Sequence, residues 1–166
     1  MKHGSDDYRR LIAELSVAVS TIRSGIELNS DAWARIEAGA TAVLDWAALS
    51  YTIHNLYGSI EQYCTRIAKF YEHNLSTSAW HSELLEGMTL NIEGVRPALY
   101  NRDLLWRLDD LRRFRHLFRH MYDRPLDSER VKKMQQLLLA ILPGFLAAHE
   151  RFIEKVQFIA SKVTDE

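Results

Sequence analysis

The chain has 166 residues, and its 21 lysines and arginines nearly balance 22 aspartates and glutamates. A chain of this length is most simply a single domain, 1–166, and its near-zero net charge excludes nucleic-acid binding by overall charge, so that any such binding needs a local basic patch. Cys64 is the only cysteine, which excludes an intramolecular disulfide and a thiolate metal cluster and fits a reducing cytoplasm.

No signal peptide or membrane span is expected. The first residues are charged and lack the apolar core of a signal peptide. The most apolar stretches, residues 46–60 and 134–149, are shorter than a bilayer crossing requires. We therefore expect a cytoplasmic protein with no membrane partner.

In the first half of the chain, apolar residues recur at three- and four-residue steps and predict helices. One helix is expected to end near Gly25, and a second to begin after the cap signal at residues 29–31 and to break near residues 39–41. A long core helix then covers residues 42–74, with Gly58 tolerated inside it. Four polar residues on it could face the arginine-rich helix predicted at residues 101–123, although buried polar groups more often have a structural role: His54, Tyr57, Gln62 and Arg66.

A shorter helix at residues 78–88 and a loop at residues 91–100 precede a run without proline or glycine at residues 101–123, which we call the motif helix. Its predicted apolar stripe consists of Leu104, Leu108, Leu111, Phe114, Phe118 and Met121. Arg115 falls within this stripe. An arginine is almost never buried without a partner for its charge, so we expect a group from another helix to meet Arg115.

The last helix is predicted over residues 128–163, with Ser128 as its cap and a kink at Pro143. No stretch alternates as a strand would. The sequence therefore predicts an all-α fold, an up-and-down bundle of about five to six helices. Residues 1–40 would form an N-terminal helical extension and residues 41–163 the core bundle.

The face of the motif helix opposite its apolar stripe is polar and cationic. Residues 101–124 contain seven arginines, four aspartates and no lysine. Arginine suits planar, bidentate contacts to phosphate, so Arg112, Arg113 and Arg119 are candidate RNA-binding residues. The alternative is a solvated face with ion pairs such as Asp109 with Arg113.

Arg115, His120 and Tyr122 have the spacing Arg-x4-His-x-Tyr, which resembles the signature of the HEPN ribonuclease superfamily and, within it, the HepT-type toxins. In that family the residue after the arginine is usually polar, and here it is His116. The resemblance is most specific over residues 104–122. It implies a HEPN-like bundle that pairs its motif helices across a two-fold homodimer to form a composite cleft.

The resemblance further implies a toxin-type, metal-independent endoribonuclease, with tRNA as one candidate substrate and no cofactor. Such an enzyme needs a base for the 2′-hydroxyl proton, an acid for the leaving oxygen and a cation for the phosphorane charge. His120 is the candidate base or acid, because its ordinary pKa of about 6.5 is near working pH. Arg115 would hold the scissile phosphate, and His116 would position these residues or act as the second proton-transfer group. The expected product end is a 2′,3′-cyclic phosphate.

Tyr122 has two interpretations. As a structural residue it extends the apolar stripe and its hydroxyl finds a partner. The family resemblance implies instead that it accepts adenylyl groups from a cognate minimal nucleotidyltransferase antitoxin, which would neutralise the toxin. On a straight helix Arg115 and His120 point about 140° apart, so a kink near His120 or a partner subunit must bring them together.

Two other kinds of site stay open. His116 and His120, four residues apart, could bind a metal with Asp109 as a third ligand, but the neighbouring arginines oppose a divalent cation. We therefore predict no metal. A non-catalytic helical module, a degenerate HEPN domain that binds RNA or protein through the arginine band, is the alternative function.

Overall fold

The computed structural model describes residues 3–72, 80–119 and 125–163, and Leu117 by its backbone only. These residues form an all-α bundle without a strand, as predicted. Its five helices are α1 Ser5–Glu37, α2 Val43–Tyr71, α3 Trp80–Gly87, α4 Arg102–Arg119 and α5 Ser128–Lys162. The described part of the motif helix is α4.

The predicted break near Gly25 is wrong, because α1 is one continuous helix of 33 residues. Gly25 lies where α1 crosses α2 closely, and a Cβ built on it would approach Leu56 Cδ2 to 2.9 Å. Asn29 does not cap a second helix. Its buried side-chain amide donates to Thr52 Oγ1 at 2.9 Å and to Gln135 Oε1 at 2.8 Å, which joins α1 to α2 and α5.

The predicted break near residues 39–41 is confirmed. Helix α1 ends at Glu37, and Gly39 has a φ of 94°, a conformation that favours glycine. Helix α2 begins at Val43. Val43 and Leu44, at this start, are largely exposed.

The core forms where the apolar stripes of α1, α2, α4 and α5 meet. The predicted stripe of α4 is buried at Leu104, Leu108, Leu111 and Phe114, whereas Phe118 is half-buried. Met121 lies outside the described residues. Between α3 and α4 the chain follows the predicted loop, which contains one isolated antiparallel bridge between Ile92 and Arg96.

Helix α5 is continuous through Pro143. Its cap is Asp127 rather than the predicted Ser128, since Asp127 Oδ1 accepts hydrogen bonds from the backbone amides of Glu129 and Arg130. The carboxylate of Asp127, one residue before Ser128, reaches the free amides of the first turn. Its negative charge also interacts favourably with the positive end of the helix dipole.

Helix α5, with 35 residues, is long and apolar enough to cross a membrane by length and composition alone. The apolar stretch considered from the sequence, residues 134–149, is only a part of this helix. Core helices of bundles meet the same criterion. Here one side of α5, including Leu138, Ile141, Phe145 and Phe152, is fully buried against the other helices.

Candidate functional site

Arg115 lies near the end of α4 and turns inward. Its side chain is 20% exposed, and its Nη1 donates to Glu61 Oε1 on α2 at 3.3 Å. The guanidinium also lies over the ring of Tyr57, with its Cζ 5.6 Å from the ring centroid. The expectation that a group from another helix meets Arg115 is confirmed, and the group is a buried carboxylate.

Side chains of three helices contact Glu61. Its Oε2 accepts a hydrogen bond from the Tyr57 hydroxyl at 3.0 Å and lies 2.8 Å from His81 Nδ1 on α3. We call Tyr57, Glu61, His81 and Arg115 the Glu61 cluster. The Glu61 side chain is only 7% exposed, and such a buried carboxylate needs the charge and donors that this cluster supplies. Burial, followed by the charge of Glu61, raises the pKa of Tyr57 far above its ordinary value.

The sequence patterns did not identify Glu61 or His81. One signal was present for Glu61, because it occupies an apolar-face position of α2 between Tyr57 and Cys64, both fully buried. An acidic residue at such a position implies a partner, although spacing alone does not say which one. Tyr57 had been considered as a residue that could face the motif helix, and the contact is present.

His54 also contacts α4. Its ring centroid lies 5.7 Å from that of Phe118, and its buried Nδ1 has no hydrogen-bond partner among the described residues. Burial, and then the charges of Arg115 and Arg119, lower the pKa of His54. The imidazole is therefore held in its neutral form more strongly than a histidine in water.

The outward face of α4 carries the predicted arginine band. Arg112 Nε lies 2.7 Å from Asp109 Oδ1, and Arg113 Nη2 lies 2.8 Å from Asp109 Oδ2, so one carboxylate holds two guanidiniums. The predicted pair of Asp109 and Arg113 is thus present. Arg119 and His116 are exposed on the same helix.

His120 and Tyr122 lie outside the described residues, so the convergence of Arg115 with His120 stays a prediction. Within residues 3–72, 80–119 and 125–163, no group of three or more histidine, cysteine or acidic side chains is arranged to hold a metal ion. A site through His116 and His120 would include a residue beyond these ranges.

The all-α bundle of the described residues agrees with the fold that the motif implied, and it places Arg115 of the arginine-rich helix on a buried glutamate. A family model described as HepT-like protein matches residues 48–156, about two thirds of the chain. The chain therefore belongs to the HepT-like protein family, which is part of the HEPN ribonuclease superfamily. Comparisons with curated proteins and with solved structures gave no match. Helix α1 precedes the matched region.

Proposed function

We propose that the protein is a metal-independent endoribonuclease and the toxin of a toxin–antitoxin pair. The observation that carries this proposal is the Arg-x4-His-x-Tyr motif, which begins at Arg115 on α4 in a chain of the HepT-like family. The inward position of Arg115 supports it, because an arginine this buried has a defined guanidinium orientation.

Arg115 would bind the scissile phosphate. Glu61 holds the guanidinium through Nη1, which fixes the direction of its planar face. Because Glu61 offsets part of the positive charge, a phosphate would have to share the guanidinium with the carboxylate. Arg119, exposed one turn further on, makes no ion pair within the described residues and would add positive charge for the RNA backbone.

The reaction is an attack by the 2′-oxygen on the adjacent phosphorus, with cleavage of the bond to the 5′-oxygen of the next nucleotide. His120 would take the 2′-hydroxyl proton or give a proton to the leaving 5′-oxygen, and His116 would serve as the other proton-transfer group or position its partners. Arg115 would stabilise the charge that develops on the phosphorane. One strand would then end in a 2′,3′-cyclic phosphate and the other in a 5′-hydroxyl.

The test is cleavage of mixed cellular RNA by the purified protein in EDTA, with analysis of the product ends. We expect cleavage and cyclic-phosphate ends, which block 3′-ligation until a cyclic-phosphate-opening enzyme and a phosphatase are applied. Cleavage that stops in EDTA and returns with a divalent cation would contradict the proposal and favour a metal site through His116 and His120.

A homodimer and an antitoxin complete the proposal. The composite cleft would form between two copies, and Tyr122 would accept adenylyl groups from a minimal nucleotidyltransferase that transfers AMP from ATP to the phenol oxygen and releases pyrophosphate. The added phosphate would place negative charge beside the arginines and compete with RNA.

For this regulation we predict that Tyr122→Phe stays an active nuclease but escapes neutralisation, since it keeps the ring and loses the acceptor oxygen. Intact-mass spectrometry after incubation with the nucleotidyltransferase and ATP should show adenylate-sized additions on the wild type and none on Tyr122→Phe. Equal additions on both proteins would assign the modification to another residue.

A non-catalytic RNA- or protein-binding module is the second candidate, and one observation favours it. Glu61 offsets the charge of Arg115, and Asp109 that of Arg112 and Arg113, within the described residues. Phosphate binding must compete with these pairs. RNA binding without cleavage by the wild type under any metal condition would support this candidate.

A further inference from the structure

A cleft of about 680 Å³ runs along the seam between α1 and α2 and reaches Arg115. Helix α1 contributes Thr21 and Gly25 to its lining, and α2 contributes Asn55 and Gly58. One wall of the cleft therefore belongs to the helix that precedes the family match. The cleft joins this additional helix to the candidate catalytic arginine.

The lining combines apolar and hydrogen-bonding surface. Leu28 supplies exposed apolar surface, while the exposed amides of Asn55 and Gln62 and the hydroxyl of Thr21 line the same space. A nucleobase has the matching chemistry, with apolar faces that stack and a polar edge that accepts and donates hydrogen bonds.

Free positive charge continues from the cleft along α2. Arg66 lines it, five residues beyond Glu61 and therefore about 7.5 Å along the helix axis. Arg66 and Gln62 also line an adjoining cleft of about 430 Å³ that contains Lys69. Neither Arg66 nor Lys69 forms an ion pair within the part of the chain that the structure describes.

Acidic groups are present in this adjoining cleft but are partly offset. Asp7 and Glu14 of α1 line it, and Arg10 Nε lies 3.1 Å from Glu14 Oε1. His3 Nδ1 lies 3.9 Å from Asp7 Oδ2. Within the described residues that line the two clefts, the cations without an ion pair, Arg66 and Lys69, thus both lie on α2.

We propose that the α1–α2 cleft binds the nucleotide adjacent to the scissile phosphate of a single-stranded RNA. The base enters the cleft beside Asn55 and Gly58, one phosphate lies at Arg115, and a neighbouring phosphate lies at Arg66. This inference rests on the proposed ribonuclease function, and it assigns to α1 a part in holding the substrate.

Gly58 offers a steric test. It lies inside α2 and lines the cleft, and a Cβ built on it meets nothing within 4 Å, so a side chain added there begins in open space. Gly58→Ala controls for the gain in helix propensity. Gly87→Leu, at a glycine of α3 with equally open space outside the cleft, controls for adding a leucine to the surface.

The experiment measures binding of a short single-stranded oligonucleotide with 2′-fluoro substitution, which cannot undergo 2′-oxygen attack, by fluorescence anisotropy at several salt concentrations. For Gly58→Leu we expect Kd to rise at least about fivefold, as for loss of one stacked base. Gly87→Leu should stay near the wild type, and Gly58→Ala, which adds only a methyl group, should weaken binding less than Gly58→Leu does. Arg66→Gln should weaken binding and reduce the slope of log Kd against log salt by about one.

An unchanged Kd in Gly58→Leu would overturn the proposal, as would failure of the wild type to bind. A change in sedimentation of Gly58→Leu with unchanged RNA affinity would assign the cleft to a second copy of the chain and also overturn it. The proposed nuclease activity is separable from this result. A wild type that binds the oligonucleotide as expected but never cuts RNA would refute the nuclease and leave the cleft proposal standing. A wild type that cuts RNA, together with an unchanged Kd in Gly58→Leu, would refute the cleft proposal alone.

Discussion

Arg115 places a cation in an apolar stripe, and Glu61 is the residue that makes this possible. Removing the carboxylate would leave the guanidinium, the Tyr57 hydroxyl and His81 without their common acceptor. Because Tyr57 is fully buried and Arg115 is mostly buried, the lost contacts cannot all be replaced by water.

At this scale we predict that Glu61→Ala lowers the free energy of unfolding by about 1–3 kcal/mol and lowers kcat for RNA cleavage more than it raises KM. Glu61→Gln keeps an oxygen that can accept from Arg115, so it should recover part of both losses. Urea unfolding and steady-state cleavage measure the two effects. If Glu61→Ala matches the wild type in stability and in kcat, Glu61 does not position Arg115.

The need for a partner at Arg115 followed from the sequence, but the identity of the partner did not. Helical spacing puts Arg115 among leucines and phenylalanines, and the cost of burying an unpaired charge makes a counter-charge necessary. Glu61 is 54 residues away in the chain. Only the packing of α2 against α4 brings these two together, and periodicity carries no information about which faces of two helices meet.

At the scale of elements, the close crossing of α1 and α2 distinguishes two glycines that look alike in sequence. A methyl group at Gly25 would lie 2.9 Å from Leu56 Cδ2, whereas a methyl group at Gly58 meets open space. Both glycines lie inside helices, where alanine is intrinsically favoured by about 1 kcal/mol.

We therefore predict opposite effects on stability. Gly58→Ala should raise the free energy of unfolding by about 0.5–1 kcal/mol through helix propensity. Gly25→Ala should lower it, because overpacking against Leu56 outweighs the same gain. Thermal and urea unfolding of the two variants test this, and equal stabilisation by both would show that α1 and α2 do not approach closely at Gly25.

Helix interiors were predictable from apolar spacing, whereas two predicted helix starts were wrong. The cap signal at Asn29 was misleading because tertiary hydrogen bonds to Thr52 and Gln135 use its side chain within a continuous helix. Asp127 rather than Ser128 caps α5, a shift of one residue that depends on backbone geometry. The packing of the bundle determines whether such a side chain forms a hydrogen bond with a local or with a long-range partner.

In the whole molecule, a site made by two copies of the chain would let Arg115 and His120 act on one phosphate, although the two side chains point apart on one straight helix. We predict a two-fold dimer in solution whose interface includes the motif helix, residues 101–123, and α2. Sedimentation as a monomer at micromolar concentration would contradict it.

Mixed dimers sharpen this prediction. Arg115→Ala and His120→Ala should each be inactive alone. If each site takes Arg115 from one protomer and His120 from the other, random mixing of the two variants should restore about a quarter of the wild-type activity, because half of the dimers would each carry one intact site. No restoration in dimers shown to exchange subunits would place both residues of a site on one protomer.

On the proposed function, His120 performs proton transfer in RNA cleavage. The most direct test of this role is the rate of RNA cleavage in EDTA by His120→Ala, beside the wild type and Arg151→Ala, an exposed arginine of α5 outside the site. We predict that His120→Ala cuts at least about a hundredfold more slowly, with unchanged helical circular dichroism, and that Arg151→Ala cuts normally. Cleavage by His120→Ala at the wild-type rate would contradict this role for His120.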